Sequence, residues 1–79
     1  MEKNEILNRV KNVVSDVLTL DKSEITDEAN FVFDLGADSL QSVELVAGFE
    51  EEFDIEMDQD RALEVQNIDN AVNFISEYL

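Results

Sequence analysis

The sequence predicts an all-α fold, namely a small antiparallel four-helix bundle. It has three longer helices, one short helix and a long loop between the first two helices. Apolar residues recur at helical spacing in three segments, and no segment shows the alternating pattern of a strand. The chain has 79 residues, which is enough for one domain, and we expect residues 1–79 to form it. Helices that each carry one dominant apolar stripe are typical of an antiparallel bundle.

The first helix is predicted to run from about residue 4 to residue 18. Its apolar residues follow the spacing of a single helix face. They are Ile6, Leu7, Val10, Val13, Val14, Val17 and Leu18. Residues 19–37 are then predicted to form a long connection, rich in turn-forming Asp and Asn. Its apolar residues are expected to anchor it in the core: Leu20, Ile25, Phe31, Val32 and Leu35.

The second helix is predicted over about residues 38–53, and it carries two apolar faces. At about 100° per residue, one side of the helical wheel holds the core candidates. These are Leu45, Val46, Phe49 and Phe53. The opposite side holds Leu40, Val43 and Ala47 with Glu44 and Glu51. An exposed apolar strip with an acidic border favours a protein-binding surface.

Two further helical segments complete the chain. A short turn is predicted near residues 60–64. Asn67 is the predicted N-cap of the last helix, with Asp69 in its first turn, where a negative charge is favourable. The residues of this helix expected to face the core are Ile68, Ala71, Val72, Ile75, Tyr78 and Leu79.

One short motif lies where the long loop meets the second helix. It reads Asp34-Leu35-Gly36-Ala37-Asp38-Ser39-Leu40. Gly36 permits a turn that other residues resist. Asp38 is a favoured N-cap, and Gln41 can complete a capping box with it. Ser39 then occupies the first helical turn, where free N–H groups and the helix dipole would favour a phosphodiester on its oxygen.

The net charge limits the kinds of molecule that the chain can bind. Twenty acidic residues and five basic ones give a formal net charge of −15. Such a chain attracts basic protein surfaces and repels nucleic acid and anionic membranes, so we expect a monomer that binds no nucleic acid. No apolar run is long enough for a transmembrane helix, and residues 1–4 lack the start of a signal peptide. A cytoplasmic protein is therefore expected.

Several chemical functions are disfavoured by the residues that are present. The chain has no cysteine and no histidine, which removes thiol chemistry and the commonest general base. Ser39 has no Gly-x-Ser-x-Gly elbow and no nearby base, so autonomous catalysis is not expected. A calcium loop starting at Asp54 would have Gln59 where glycine is needed and Val65 where glutamate is needed. No specific metal site is predicted, although weak divalent binding by the acidic cluster stays open.

The motif, continued by Gln41-Ser42-Val43-Glu44-Leu45, closely resembles the signature of acyl carrier proteins of the fatty-acid type. The resemblance extends over the whole chain and includes the acidic end of the second helix. It implies a single, non-catalytic acyl carrier domain over residues 1–79. It also implies that 4′-phosphopantetheine from coenzyme A is attached to Ser39 and carries acyl intermediates as thioesters. The supporting motif residues are Asp34, Leu35, Gly36, Ala37, Asp38 and Leu40.

The resemblance also implies partners and two surfaces. A phosphopantetheinyl transferase would load Ser39 with the help of magnesium, which Asp38 would orient. Basic-surfaced acyl transferases, ketosynthases, reductases and dehydratases of fatty-acid biosynthesis would then dock on Leu40, Val43, Glu44, Ala47 and Glu51. The acyl chain would be buried within the bundle, at about 0.8 kcal/mol per methylene. The candidate pocket residues are Leu45, Val46, Phe49, Phe53, Ile68 and Ala71.

Three departures from the family pattern leave alternatives open. Gln41 stands where many fatty-acid carriers have a carboxylate, and Phe33 replaces a usually acidic residue. Gly48 lies inside the second helix, where it costs roughly 0.5 to 1 kcal/mol relative to alanine. It either deepens an acyl pocket or has no functional meaning. A specialised carrier for a polyketide, lipid-modification or other secondary pathway is therefore one alternative. An acidic interaction adaptor without a prosthetic group is the alternative from a different class.

Overall fold

Four α-helices and one 3₁₀ helix form the computed structural model, which describes residues 1–79. The α-helices are α1 (Lys3–Leu18), α2 (Ser39–Phe53), α3 (Gln59–Glu64) and α4 (Ile68–Ser76), and the 3₁₀ helix is Lys22–Glu24. Helix α1 packs against both α2 and α4, and α3 packs against α2. The predicted all-α bundle with three longer helices and one short helix is confirmed. The 3₁₀ helix within the loop was not predicted.

Side-chain caps determine where three of the helices begin. Asp38, Asp58 and Asn67 precede α2, α3 and α4, and each accepts a hydrogen bond from the backbone N–H three residues further on. The distances are 2.8, 3.1 and 2.8 Å. These bonds satisfy N–H groups that have no partner inside the helix. The predicted caps at Asp38 and Asn67 are confirmed.

The core consists of 19 buried residues, all of them hydrophobic. Helix α1 contributes the buried residues of its predicted stripe, which are Ile6, Val10, Val13 and Val14. Helix α2 contributes Leu45, Val46, Phe49 and Phe53, as predicted. Helix α4 contributes Ile68, Ala71, Val72 and Ile75, together with Phe74, which was not predicted. The helical periodicity therefore identifies most of the core.

Three of the predicted core residues lie elsewhere. Leu79 is 50% exposed because α4 ends at Ser76, so helical spacing no longer orients the last residue. Val32 is 52% exposed because it lies in a turn, where its side chain borders a cavity. Leu20 is only half-buried and lies outside the core cluster. The loop anchors Ile25 and Phe31 are buried, and Leu35 packs against the core.

The second half of the long loop is held by Asn30. The Asn30 side-chain oxygen accepts hydrogen bonds from the backbone N–H groups of Val32 and Phe33, both at 2.9 Å. The Asp34 carboxylate accepts from the Asn30 N–H at 2.7 Å. Residues 30–35 therefore form a closed turn, although they contain no regular helix.

The same loop is joined to the segment between α3 and α4. The Phe31 N–H donates to the Gln66 carbonyl at 2.9 Å, and the Ile68 N–H donates to the Ala29 carbonyl at 3.1 Å. These two bonds form an isolated antiparallel bridge centred on Asn30 and Asn67. Two segments far apart in the sequence are thus held side by side next to the start of α4.

Helices α1 and α2 approach closely at Gly48. A Cβ atom on Gly48 would lie 2.8 Å from Cγ1 of Val13. Glycine therefore gives α1 room to pack against α2, and Gly48 does not line the cavity described below. Of the two interpretations that the sequence left open for Gly48, the structure does not support a deeper acyl pocket, because Gly48 faces α1. Further along, Arg9 joins the two helices through Glu52, whose carboxylate is 2.7 Å from the Arg9 Nε atom.

Candidate functional site

Ser39 is the first residue of α2 and is exposed. Its hydroxyl takes part in no hydrogen bond within the chain, and the N–H groups of Ser39 and Leu40 are also free. The Asp38 carboxylate accepts the Gln41 N–H at 2.8 Å, while the Gln41 side-chain oxygen accepts the Asp38 N–H at 3.1 Å. This reciprocal pair is the predicted capping box. A free hydroxyl and two free N–H donors therefore lie together at the positive end of a helix.

The turn before Ser39 is held by backbone hydrogen bonds. Gly36 has φ of 77°, in the left-handed region that favours glycine. Its N–H donates to the Val32 carbonyl at 3.1 Å, and the Ala37 N–H donates to the Phe31 carbonyl at 2.8 Å. Ala37 is buried, whereas the sequence assigned it only to the motif. The short motif therefore folds back onto the core and leaves Ser39 at the surface.

The outer face of α2 is exposed along its length. Leu40 and Val43 are 68% and 49% exposed, and Glu44, Ala47 and Glu51 are also exposed. Neither glutamate forms an ion pair within the chain. The division of α2 into a core face and an exposed apolar face with acidic residues is confirmed. Docking on this face stays a prediction.

A cavity of about 270 Å³ lies beside α2. Thirteen of its sixteen lining residues are hydrophobic, so it suits an apolar ligand. Four of the six pocket candidates line it, namely Leu45, Val46, Phe49 and Ala71. Phe53 and Ile68 do not. The Arg9 guanidinium lies over the Phe53 ring, with its Cζ atom 4.8 Å from the ring centroid. Ile68 is fully buried at the start of α4.

The remaining lining comes from the loop before α2, from α3 and the segments on either side of it, and from α4, with one further residue on α2. The apolar residues that sequence reasoning did not assign to a pocket are Phe31, Val32, Phe33, Met57, Ala62, Leu63, Val65, Phe74 and Ile75. The polar ones are Asn30, Ser42 and Gln66. Phe74 could have been found from its place beside Ile75 on an apolar helix. The loop residues carry no periodic signal, because their orientation depends on the Asn30 turn.

The charge around the site is negative and largely unpaired. No basic residue lies between Asp38 and Asp60 in the sequence. The three ion pairs are Arg9–Glu52 at 2.7 Å, Lys11–Asp27 at 2.6 Å and Arg61–Glu77 at 3.4 Å. A basic partner surface would therefore meet free carboxylates along α2.

One carboxyl away from this surface, that of Asp21, has a shifted pKa. The Ser23 backbone N–H, which donates to Asp21, lowers the pKa of that carboxyl below its ordinary value, and the Ser23 hydroxyl adds to the effect.

No cluster of three Asp or Glu side chains converges in a way that could hold a metal ion. None of the helices has both the length and the apolar character needed to cross a membrane.

Known proteins resemble this chain over nearly its full length. A family model described as "Phosphopantetheine attachment site" matches residues 8–75. An acyl carrier protein of Guillardia theta is 48% identical over 77 residues, which cover 98% of this chain and 95% of that protein. An acyl carrier protein of Caulobacter vibrioides (strain NA1000 / CB15N) is 50% identical over 74 residues, covering 94% and 95%. The stretch matched by the family model contains Ser39, α2 and all the lining of the cavity.

Proposed function

The chain belongs to the acyl carrier protein family, with its phosphopantetheine attachment domain, and we propose that Ser39 carries the 4′-phosphopantetheine arm. The observation that carries the proposal is the free, exposed Ser39 hydroxyl at the start of α2, inside the Asp38-Ser39-Leu40 motif. We further propose that residues 1–79 act as one carrier domain. Other enzymes act on it, and it catalyses no reaction of its own.

The residues at the start of α2 fit this group. The exposed Ser39 oxygen is available to form a phosphodiester, and the free N–H groups of Ser39 and Leu40 can donate to its anionic oxygens. Asp38 is held by Gln41 beside the hydroxyl, where it would orient magnesium during loading. When bound, the group supplies a terminal thiol that holds an acyl group as a thioester, and this cysteine-free chain has no thiol of its own.

The cavity is proposed as the site for the acyl chain. Leu45, Val46, Phe49 and Ala71 would contact it, with Met57 and Ile75 on the remaining walls. Removing apolar surface from water favours such binding by about 0.8 kcal/mol per methylene. Phe53 and Ile68 would support the site only indirectly, through the core. The apolar lining supports an aliphatic cargo, which fits the fatty-acid type and also fits a lipid-modification pathway.

Members of this family interact with a phosphopantetheinyl transferase and with enzymes of fatty-acid biosynthesis. We propose that this chain meets them through Leu40, Val43, Glu44, Ala47 and Glu51 on the outer face of α2. Basic surfaces on acyl transferases, ketosynthases, reductases and dehydratases would complement the unpaired carboxylates. We also propose a cytoplasmic monomer. The net charge of −15 supports the absence of nucleic-acid binding and of membrane insertion, because nucleic acids and anionic membranes repel such a chain.

Loading can be tested directly with the intact chain. Incubation with a broad-specificity phosphopantetheinyl transferase, coenzyme A and magnesium should add one phosphopantetheine, detected by intact-protein mass spectrometry. Ser39→Ala should gain none and should keep its fold, because Asp38 provides the cap. Ser23→Ala is the matched control, since Ser23 also lies in a first helical turn but bonds to Asp21 at 2.8 Å.

Two outcomes would contradict the attachment site. A wild-type mass that does not change would favour the acidic adaptor, which has no prosthetic group. Full modification of Ser39→Ala would place the arm on another residue.

A further inference from the structure

The mouth of the cavity is bordered by three exposed apolar side chains, which we call the apolar rim. Val32 and Phe33 come from the loop before α2 and are 52% and 86% exposed. Leu63 comes from α3 and is 47% exposed. Exposed apolar residues scattered singly are ordinary, but these three from two elements line one opening.

The apolar rim continues the inner wall of the cavity. The inner lining residues Phe31, Leu45, Phe49 and Ile75 are all buried. The apolar lining therefore passes from buried to exposed surface without interruption by a charged residue. The volume of about 270 Å³ lies just below the range of roughly 300–1,000 Å³ that is usual for ligand pockets. A long chain bound there would extend beyond the buried wall and reach the rim.

The backbone at Phe33 is held in place by the fold. The Phe33 and Val32 N–H groups both donate to the Asn30 side chain at 2.9 Å. Asn30 itself belongs to the bridge with Asn67. The aromatic ring is thus carried by a closed turn at the mouth, where an apolar chain could pack against it.

We propose that the apolar rim contacts the part of a carried acyl chain that extends beyond the cavity, so that this protein shelters long aliphatic chains. The inference rests on the proposed function, because attachment at Ser39 would bring the cargo to this opening. Ser42 lines the cavity and follows Ser39 by three residues on α2, a spacing of about 5–6 Å between Cβ atoms. A second copy of this chain is a poorer occupant, since each copy carries a charge of −15.

The test compares wild type with the double variant Phe33→Gln/Leu63→Gln. Both are loaded by the transferase from a series of saturated acyl-coenzyme A compounds of increasing length, and loading is verified by mass. Hydroxylamine then cleaves the thioester, releasing the acyl hydroxamate and leaving the free thiol on the protein. Short chains should be cleaved at equal rates in both proteins. Long chains should be cleaved about fourfold faster in the variant for each methylene that loses its cover, because the thioester is then exposed more often.

Leu79→Gln is the matched control. Leu79 is 50% exposed, close to the 47% of Leu63, but it does not line the cavity. Its cleavage rates should equal those of wild type at every chain length. Circular dichroism melting of the unloaded proteins checks that all variants fold.

The outcomes separate this inference from the proposed function. If wild type gains no mass, attachment at Ser39 fails and the rim has no cargo to cover. If loading succeeds but the double variant matches wild type at every chain length, the apolar rim is wrong and the proposed function stands. The rim proposal is likewise overturned if Leu79→Gln is cleaved as fast as the double variant. It is also overturned if sedimentation shows that wild type is a dimer and the double variant a monomer, because the rim would then be a dimer interface.

Discussion

At the scale of single residues, Gly48 shows how neighbours decide the effect of a substitution. Alanine in a helix interior is ordinarily more stable than glycine by roughly 0.5–1 kcal/mol. At this position, however, the added Cβ would lie 2.8 Å from Cγ1 of Val13, a buried and stiff β-branched side chain. Overpacking of this kind costs about 1–3 kcal/mol, so the steric effect outweighs the helix propensity.

We therefore expect Gly48→Ala to lower the free energy of unfolding by about 1 kcal/mol. Val13→Ala alone should also destabilise, because it leaves a cavity. In the double variant the clash is gone, so its stability should exceed the value obtained by adding the two single effects. Urea denaturation of the four proteins measures this coupling. A Gly48→Ala variant more stable than wild type would mean that α1 and α2 separate without cost.

Residue-level prediction from the sequence succeeded where local chemistry decides the structure. The Asp38–Gln41 capping box and the turn at Gly36 follow from neighbouring residues alone. The orientations of Val32 and Phe33 could not be obtained in this way. They depend on the Asn30 side chain and on its bridge to a segment that lies far away in the sequence.

At the scale of elements, α2 presents opposite faces to the core and to solvent. Its buried face packs against α1, and its outer face carries Leu40, Val43 and Glu44 without a partner in the chain. The helical wheel predicted this division because helical periodicity is a property of one element. The cavity was only partly predictable from the sequence. Residues of the loop and α3 line it, and their positions depend on how several elements pack together.

We expect Glu44→Lys to slow loading by the transferase roughly three- to tenfold at low salt, because charge reversal opposes approach to a basic surface. The defect should shrink as salt rises and screens the charges. Leu40→Ala should also slow loading, with a weaker salt dependence. Steady-state loading rates at several ionic strengths measure both effects.

Glu24→Lys serves as the control for this prediction, since Glu24 is also exposed and unpaired but lies in the 3₁₀ helix. The melting temperature should not fall in either charge-reversal variant, because each relieves part of the negative self-repulsion. Equal loading by Glu44→Lys and wild type at low salt, with a defect in Glu24→Lys, would move the docking surface away from α2.

At the scale of the whole molecule, unpaired negative charge opposes folding. Twenty acidic residues face five basic ones, and only three ion pairs form. All three pairs are at least partly exposed, so each contributes little. Stability must come mainly from the small apolar core, as in other domains of this size.

Added salt should therefore raise the melting temperature, by about 5 °C or roughly 1 kcal/mol between low and moderate ionic strength. Millimolar magnesium should raise it further at equal ionic strength, because divalent ions screen carboxylates more strongly. Circular dichroism melting provides the measurement. Glu44→Gln/Glu51→Gln removes two negative charges and should show a smaller salt effect. A melting temperature independent of salt in wild type would mean that self-repulsion is negligible.

The bridge between Asn30 and Asn67 makes the two sides of the cavity unequal. One side is tied by the Phe31–Gln66 and Ile68–Ala29 hydrogen bonds, whereas the other is α3, a helix of six residues that is too short to be stable by itself. In amide hydrogen exchange, we expect the Phe31 and Ile68 amides to exchange slowly and those of α3 to exchange quickly. A bound chain should slow exchange in α3 and leave the bridge amides unchanged, so this protein would adapt to cargo of different sizes by moving one wall only.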